Sequence, residues 1–323
     1  MCVHTRFAPS PTGRLHLGHA FSAIQAHDFA RAADGRFSLR IEDIDGTRSR
    51  PEHVDAILRD LAWLGLGWDG DVTFQSQRLD LYQHALDRLR ARGLLYPCFC
   101  TRADIAASLS APHGPEGAIY PGTCRGLAAP DLSRPHSWRL DVKKAFNLPL
   151  PSGEREGTRA EGVGRERGND ATLISAPLPS AASRLPPSPR RGEGLWWHDA
   201  FAGWIHADPL SHGDVILARK DAPASYHLAV TIDDAAQGIT HVVRGKDLFE
   251  ATHIHRLLQA LLNLPVPEYR HHDLLLGPDG QRLAKRHGAP TLEAMRLAGE
   301  DGRALADRLR AGLLPVGFTP AKA

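Results

Sequence analysis

The chain has 323 residues, 42% of them apolar and 24% charged, so it is long enough to bury one large core or two modest ones. Its 39 basic and 37 acidic residues leave a net charge of +2, which excludes the strongly basic class of nucleic-acid binders but permits an RNA partner. It contains no run of about 18 apolar residues and does not begin with a basic-then-apolar leader. We therefore expect a cytoplasmic enzyme with no membrane partner.

The first 95 residues alternate between predicted strands and predicted helices. Strands are predicted at 3–7 and 37–41, and helices at 17–32, from 51 onward and at 79–91. Pro51 suits the first turn of the second helix. In the third helix, Leu81, Leu86 and Leu89 are expected to face inward. This alternation predicts the α/β class, with a Rossmann-type doubly wound parallel sheet whose first half spans 1–95.

The remaining residues divide into three predicted regions. Cysteines, glycines and prolines interrupt the pattern at 96–146, which indicates a small insertion and the start of an acceptor-binding-like subdomain. Segment 147–195 is rich in Pro, Ser, Gly and Arg and poor in aromatic residues, so we expect a disordered low-complexity insertion. Region 196–323 is expected to complete the subdomain and the catalytic domain. Further strands are predicted at 137–142, 214–219, 226–232, 239–243 and 273–276, and further helices at 251–262 and after Lys285.

A His-x-Gly-His sequence follows the first predicted strand. Gly18 lacks a side chain, so adenosine can lie against the backbone where the helix begins. The N–H groups of that helix N-terminus and the imidazoles of His16 and His19 can donate to ATP phosphates as charge develops on them. The alternative is chance spacing of two histidines, which the preceding Ala-Pro-Ser-Pro-Thr-Gly turn disfavours. The sequence therefore predicts ATP binding at this turn, with both histidines catalytic.

Lys285 lies far downstream, in Gly280-Gln-Arg-Leu-Ala-Lys-Arg286. A lysine in such a loop can move onto the β- and γ-phosphates and neutralise them as pyrophosphate leaves. The alternative is a solvated basic turn. The position of the loop, after a second run of strands, favours the phosphate role. We predict that Lys285 is a third catalytic, ATP-binding residue.

Four residues at the ends of predicted strands carry the groups needed to hold an acid. Arg6 and Arg244 end strands and Tyr226 begins one, so two guanidiniums and a phenol can bind a side-chain carboxylate. Glu42, at the end of the second strand, can pair with an α-ammonium group. Each alone could be a surface ion-pair residue, but together they favour glutamate over a neutral amino acid.

Three of the four cysteines cluster in the irregular region: Cys98, Cys100 and Cys124. Three thiolates suit a structural Zn²⁺, which takes four ligands, and the fourth could come from Tyr120, His113 or Cys2. The alternative is a set of buried free cysteines without metal. A structural role is favoured over a catalytic one, because other residues are predicted to bind the phosphates.

Together these segments resemble the class I glutamyl-tRNA synthetases. The segment from Arg6 to His19 and the sequence Arg282-Leu-Ala-Lys285-Arg286 are similar to two motifs of that family, and 233–247 resembles its middle segment. The resemblance covers nearly the whole chain apart from 149–194. It implies that ATP, with Mg²⁺, contacts His16, Gly18, His19 and Lys285. It implies that glutamate contacts Arg6, Phe7, Ala8, Pro9, Ser10, Glu42, Tyr226 and Arg244.

Only 38 residues follow Lys285, so we expect no anticodon-binding domain of the kind that ordinary members carry. In this respect, and in Cys98-x-Cys100 followed by Tyr120-x-x-x-Cys124, the chain is similar to the glutamyl-queuosine tRNA(Asp) synthetases. That resemblance implies a ligase that activates L-glutamate without tRNA and transfers it to the queuosine base in the anticodon of tRNA(Asp). It also implies one structural zinc on the three cysteines and Tyr120. We expect a monomer.

Three alternatives stay open. A minimal glutamyl-tRNA synthetase would load the 3′ adenosine of a tRNA instead of queuosine. A nucleotidylyltransferase shares the His-x-Gly-His arrangement but makes a dinucleotide-type product. A catalytically inactive RNA-binding remnant is the third alternative, because Arg282 and Arg286 stand where the family has lysine and serine.

Overall fold

The structure is a computed structural model that describes residues 2–107, 113–114, 117–148, 194–277, 291–314 and 319–320. Nearly all of the 147–195 segment lies outside these ranges, and so do Lys285 and the side chain of His113. The expectations for those parts therefore stay predictions. Within the described ranges, no helix is long and apolar enough to cross a membrane.

Strands and helices alternate through much of the described chain. The strands are β1 (His4–Phe7), β2 (Arg36–Ile41), β3 (Thr73–Phe74), β4 (Leu95–Cys98), β5 (His113–Gly114), β6 (Gly117–Ala118), β7 (Ser137–Leu140), β8 (Trp196–Asp199), β9 (Gly203–His206), β10 (Ile216–Ala218), β11 (His241–Gly245), β12 (Glu268–His272), β13 (Leu275–Leu276) and β14 (Thr319–Pro320). The α-helices are α1 (Leu17–Arg31), α2 (Pro51–Trp63), α3 (Leu79–Ala91), α4 (Arg102–Ala107), α5 (Val142–Phe146), α6 (Tyr226–Ala236), α7 (Ala251–Leu262), α8 (Leu292–Leu297) and α9 (Gly302–Arg310). The helices predicted at 17–32, 79–91 and 251–262 are confirmed to within one residue.

The central sheet consists of two halves that meet at β1 and β11. In the first half β1, β2 and β3 are parallel, in that order. In the second half the order is β11-β12-β8-β9, with β9 antiparallel at the edge. The halves are joined by the backbone N–H of Thr240, which donates to the carbonyl of His4 at 3.0 Å. The predicted α/β fold with a largely parallel sheet is confirmed, although β9 makes the sheet mixed.

Two hydrophobic cores stabilise this sheet. One packs α1, α2, α8 and α9 against Phe37, Leu39 and Ile41 of β2, and the other packs α3, α6 and α7 around the fully buried Trp197. A smaller antiparallel sheet has the order β10-β7-β4, and it takes strands from both sides of the 147–195 segment. The cysteine cluster lies at the end of β4. The domain boundaries inferred from the sequence stay predictions.

The prediction of a strand at 226–232 is wrong, because these residues belong to the helix α6. Residues 228–231 are all buried, so the segment shows neither the alternation of a half-buried strand nor a polar helical face. A short, uninterrupted apolar run is compatible with a buried strand and with a buried helix alike. In the structure the segment forms a helix that packs with α3 and α7 in the second core, and its first residue lines the cavity at the ends of the strands.

Two smaller predictions also need correction. The strand expected at 273–276 is only the short β13. The main strand is β12, whose sequence is polar although Tyr269, His271 and His272 are buried. Leu81, expected to face inward, is 43% exposed. Tyr82, Leu86 and Leu89 share the buried face of α3 instead, as their helical spacing allows.

Candidate active site

A cavity of about 450 Å³ opens at the carboxyl ends of β1, β2, β11 and β12. Ligands bind at this edge of open parallel sheets. The predicted substrate-binding residues that line it are Arg6, Phe7, Ala8, Pro9, Ser10, His16, Gly18, His19, Glu42, Tyr226 and Arg244. The structure thus brings together every predicted substrate-binding residue that it describes. Lys285 lies outside the described residues, and the roles of all these residues stay predictions.

His16 and His19 lie at the turn where α1 begins. His16 precedes the helix in an extended backbone conformation, and its Nδ1 accepts a hydrogen bond from the N–H of Gly18 at 3.1 Å. Nδ1 of His19 accepts from the N–H of His16 at 3.2 Å, and the ring centroids are 3.8 Å apart. Because both Nδ1 atoms accept, each neutral ring carries its proton on Nε2. The turn therefore supplies two Nε2–H donors beside the N–H groups of a helix N-terminus.

The described residues on either side of Lys285 lie beside this turn. Leu275, in β13, lines the cavity. On the other side, Thr291 forms an isolated antiparallel bridge with His16. The described residues that flank 278–290 therefore lie at the predicted phosphate-binding region.

Arg6 is held by the buried carboxylate of Asp234, which comes from α6. Nε and Nη2 of Arg6 donate to the two carboxylate oxygens at 2.9 and 3.2 Å. Nη1 of the fully buried Arg40 donates to the same carboxylate at 2.8 Å. Burial alone would raise the pKa of Asp234, but the two guanidiniums outweigh it and hold the pKa below its usual value. Asp234 therefore stays ionised and fixes the orientation of Arg6.

Glu42 follows β2 and places a carboxylate on the cavity wall. Its Oε1 lies 3.6 Å from Nη2 of Arg40, which is too long for a hydrogen bond. Burial raises the pKa of Glu42 to about 7, and the charges of Arg40 and Arg6 oppose this shift without cancelling it. A bound cation would lower this pKa, so the site suits an ammonium group.

Arg244, in β11, is surrounded by hydrogen-bond acceptors. Its Nη1 donates to the hydroxyl oxygen of Tyr226 at 3.2 Å. Its Nη2 donates to the carbonyl of Leu248 at 3.0 Å and to the hydroxyl of Thr252 at 2.7 Å. Its Nε donates to Nε2 of His271 at 3.0 Å. Burial raises the pKa of Tyr226, so the phenol keeps its proton and can donate a hydrogen bond to a carboxylate.

The cluster predicted to bind zinc is present, with Sγ atoms within 4.8 Å of one another in Cys98, Cys100 and Cys124. The hydroxyl oxygen of Tyr120 lies 3.5 Å from Sγ of Cys100, and it accepts from the N–H of Cys124 at 2.9 Å. Cys2 is exposed and does not belong to the cluster. Three thiols and one phenol oxygen at one place fit the four-donor set that Zn²⁺ prefers.

The sequence did not identify the residues that support the site from behind. Arg40 lies in a strand between Leu39 and Ile41 and was not singled out in the sequence, yet it is fully buried. Asp234 entered only as part of a family resemblance, although two acids ending a buried apolar run are a signal for a buried ion pair. Cavity-lining residues that were also missed are Thr12, Phe21, Ser22, Val243, Gly245, Asp247, Leu248, His272, Asp273, Leu274 and Leu275.

Comparison with known proteins agrees with this architecture. A family model for tRNA synthetases class I (E and Q), catalytic domain, matches residues 2–122 and 187–323. A glutamyl-Q tRNA(Asp) synthetase from Rhodobacter capsulatus is 47% identical over 302 residues, which cover 91% of this chain and 95% of that protein. Another from Symbiobacterium thermophilum is 43% identical over 304 residues, covering 91% of this chain and 81% of the other.

A solved glutamate tRNA ligase from Elizabethkingia meningosepticum shares the fold, with a TM-score of 0.68 at 23% identity. The match covers 96% of this chain and 60% of the solved chain, so the protein spans about three fifths of the length of that structure. The chain is an enzyme of the ligase class. It belongs to the class I tRNA synthetases and, within them, to the glutamyl-Q tRNA(Asp) synthetase family.

Proposed function

We propose that the protein activates L-glutamate with ATP, without tRNA, and transfers the glutamyl group to the queuosine base in the anticodon of tRNA(Asp). The observation that carries the activation step is the arrangement of the cavity. Arg6, Tyr226 and Arg244 line it together with Glu42, and the same cavity includes the turn of His16. An amino acid with a second carboxylate and ATP therefore have adjacent binding groups.

The amino-acid side of the cavity favours a carboxylate over an amide. Arginine can only donate hydrogen bonds, and the Tyr226 phenol retains a proton to donate. A side-chain carboxylate of the substrate accepts from all three groups, whereas the NH₂ of an amide would meet further donors. Glu42 supplies the acceptor for the α-ammonium group. Together these contacts favour glutamate over glutamine.

The proposed reaction has two steps. The α-carboxylate of glutamate attacks the α-phosphorus of ATP, so that an acyl–phosphate bond forms and pyrophosphate leaves. The Nε2–H groups of His16 and His19 donate to the phosphate oxygens, and Lys285 neutralises the departing pyrophosphate. Mg²⁺ bound with ATP would supply further positive charge there. A hydroxyl of the queuosine base then attacks the carbonyl of the adenylate, loses its proton and displaces AMP.

The acceptor is supported by the names of the two relatives described above. The alternative, a minimal glutamyl-tRNA synthetase, is favoured by one observation, the likeness of fold to a glutamate tRNA ligase. The two functions differ in the atom that receives the glutamyl group. Identification of the acceptor is therefore the decisive experiment.

The test begins with glutamate-dependent exchange of pyrophosphate into ATP in the absence of tRNA. Exchange is expected with glutamate and not with glutamine. Radiolabelled glutamate is then offered to tRNA(Asp) with and without queuosine, and to tRNA(Glu). Label is expected only on queuosine-containing tRNA(Asp). Label on tRNA(Glu) would support the minimal synthetase, and an absence of exchange would support a nucleotidylyltransferase or an inactive remnant.

We also propose one structural Zn²⁺ on Cys98, Cys100, Cys124 and Tyr120, which would cross-link the small antiparallel sheet to the loop that carries Cys124. Metal analysis of the purified protein should find about one zinc per chain. Replacing Cys100 by Ser should reduce that content and destabilise the small sheet. An unchanged melting temperature after chelation would contradict a structural role. A monomer, which we also propose, is tested by light scattering.

A further inference from the structure

Arg244 is hydrogen-bonded to His271, which in turn contacts Asp199. Both of these residues are buried, and neither lines the cavity. Nε of Arg244 donates to Nε2 of His271 at 3.0 Å, and Nδ1 of His271 lies 2.7 Å from Oδ2 of Asp199. His271 and Asp199 are each only 1% exposed. We propose that they are positioning residues that hold the Arg244 guanidinium in the orientation that binds the substrate carboxylate. This inference rests on the proposed function, because it takes Arg244 as a carboxylate-binding residue.

The hydrogen-bond partners fix the proton on His271. Arg244 can only donate, so Nε2 of His271 must accept, and the ring proton must lie on Nδ1. The carboxylate of Asp199 accepts that Nδ1–H. Burial lowers the pKa of His271 to about 4, and the charge of Arg244 acts in the same direction while Asp199 opposes it. The ring is therefore neutral near pH 7, in the single tautomer that can accept from Arg244.

Asp199 is itself held by backbone groups. Its Oδ1 accepts from the N–H groups of Phe201 and Ala202 at 2.9 and 3.0 Å, in the turn between β8 and β9. Its Oδ2 also accepts from the N–H of His271 at 3.1 Å. The carboxylate therefore has little freedom to rotate. The β8–β9 hairpin, which follows the 147–195 segment in sequence, thereby contributes to the substrate site as well as to the edge of the sheet.

The effect on Arg244 follows from counting its donors. Leu248 and Thr252 engage Nη2, and His271 engages Nε, so both of these nitrogens already have acceptors within the protein. Nη1 donates to the hydroxyl of Tyr226 and otherwise has only a long contact, 3.5 Å to Nδ1 of His255, so it is the nitrogen with donor capacity left for a ligand. Without the acceptor at His271 the guanidinium can rotate about its last torsion, and the aligned pair of Nη1 and phenol is lost. Such misplacement weakens binding of the substrate selectively.

Two substitutions of His271 separate positioning from packing. His271→Gln places an amide oxygen near the position of Nε2 and keeps the acceptor for Arg244. His271→Asn keeps a polar group near Nδ1 but leaves Nε of Arg244 without its acceptor. In glutamate-dependent ATP–pyrophosphate exchange, His271→Asn should raise KM for glutamate about tenfold and leave KM for ATP unchanged, while His271→Gln stays near the parent value.

His253→Asn is the matched control. Its ring lies 5.8 Å from that of Trp197, the same distance as the ring of His271, but it accepts from the N–H of Asp208 instead of contacting Arg244. It should change the stability of the protein without changing KM for glutamate. An equal rise of KM in His253→Asn and His271→Asn, or in the Gln and Asn variants of His271, would overturn the proposal.

Asp199→Asn provides a second test. An amide donor facing Nδ1 would favour the other tautomer, whose Nε2–H points a donor at Arg244, so KM for glutamate should again rise about tenfold. Nitrogen-15 spectra of the unsubstituted protein at pH 6 should show His271 neutral and protonated on Nδ1. A proton on Nε2 would overturn the proposal even if every variant failed to fold. Absence of glutamate-dependent exchange in the unsubstituted protein would instead contradict the proposed function.

Discussion

The His16–His19 turn is held by hydrogen bonds between residues two or three positions apart, whereas Arg6 is held by Asp234, 228 positions away. Within the turn the geometry follows from its own backbone and ring nitrogens, and the bridge between His16 and Thr291 adds a contact with a distant segment. Arg6 and Arg244, which we propose bind the substrate carboxylate, depend on buried partners that other elements contribute. Damage to the turn should therefore affect chemistry with little effect on folding. Damage to the support of the arginines should affect folding and substrate binding together.

The largest effect is expected from the buried ion pairs behind Arg6. Asp234→Ala leaves two buried guanidiniums, Arg6 and Arg40, without their shared carboxylate. The free energy of unfolding should fall by about 3–5 kcal/mol, as measured by urea denaturation. The control is Asp87→Ala, which removes an ion pair with Arg90 whose two side chains are 46% and 52% exposed and should cost less than about 1 kcal/mol. Equal losses would contradict the distinction between the two regions.

The local turn is tested by a pair of substitutions at His19. His19→Asn keeps an acceptor for the N–H of His16 but removes the donor at Nε2. The rate constant for exchange should fall about 100-fold, with little change in stability. His19→Gln restores an N–H near that position and should recover part of the rate. Equal rates for the two variants would show that the Nε2–H donor does not act on the phosphates.

We expect Glu42 to lower the free energy of unfolding at high pH, because burial raises the pKa of its carboxyl group and the ionised form is then unfavourable in the folded protein. The pKa of Glu42 is about 7 in the folded protein and about 4.5 when the group is exposed. The folded state thus binds more protons between these values, so this contribution to stability is complete below pH 4.5 and is lost as pH rises through 7. Glu42→Gln should be about 3 kcal/mol more stable than the parent protein at pH 8 and nearly equal to it at pH 4. Urea denaturation at both pH values measures the difference, and a variant less stable at pH 8 would contradict it.

The ionisation of Glu42 should also have a smaller effect, on the KM for glutamate. An ammonium group needs the ionised form of Glu42, whose fraction falls roughly tenfold between pH 8 and pH 6 for a pKa of about 7. KM for glutamate should therefore rise about tenfold over this range, while KM for ATP changes less. Glu42→Gln should have a high KM that no longer depends on pH. A pH-independent KM in the parent protein would exclude the proposed role.

Much of this site could be predicted because its residues lie where strands end. Arg6, Glu42 and Arg244 follow or close apolar strands, and the carboxyl ends of parallel strands meet at one edge of a sheet. Tyr226 was assigned to the right place for the wrong reason. It begins a helix and not a strand, but the first residue of α6 still lies beside Arg244.

The supporting residues could not be predicted in the same way. His271 lies in the polar sequence of β12, and Asp199 is the last residue of β8, after two tryptophans and a histidine; neither position has a sequence pattern that distinguishes it from an exposed one. The burial of Arg40 could not be predicted either, because a charged residue in a strand is usually exposed. Their burial depends on partners that the chain brings from far away.

The sequence by itself determined the α/β class, the His16–His19 turn for which phosphate binding is proposed, and the cysteine cluster, because each depends on spacing within a short segment. Only the tertiary structure decided that α6 is a helix, that Asp234 bridges Arg6 and Arg40, and that His271 connects Arg244 to Asp199. The physical reason is the cost of burying charge. A guanidinium is held in the interior only where a carboxylate or another acceptor meets it, and that meeting is set by the packing of distant elements.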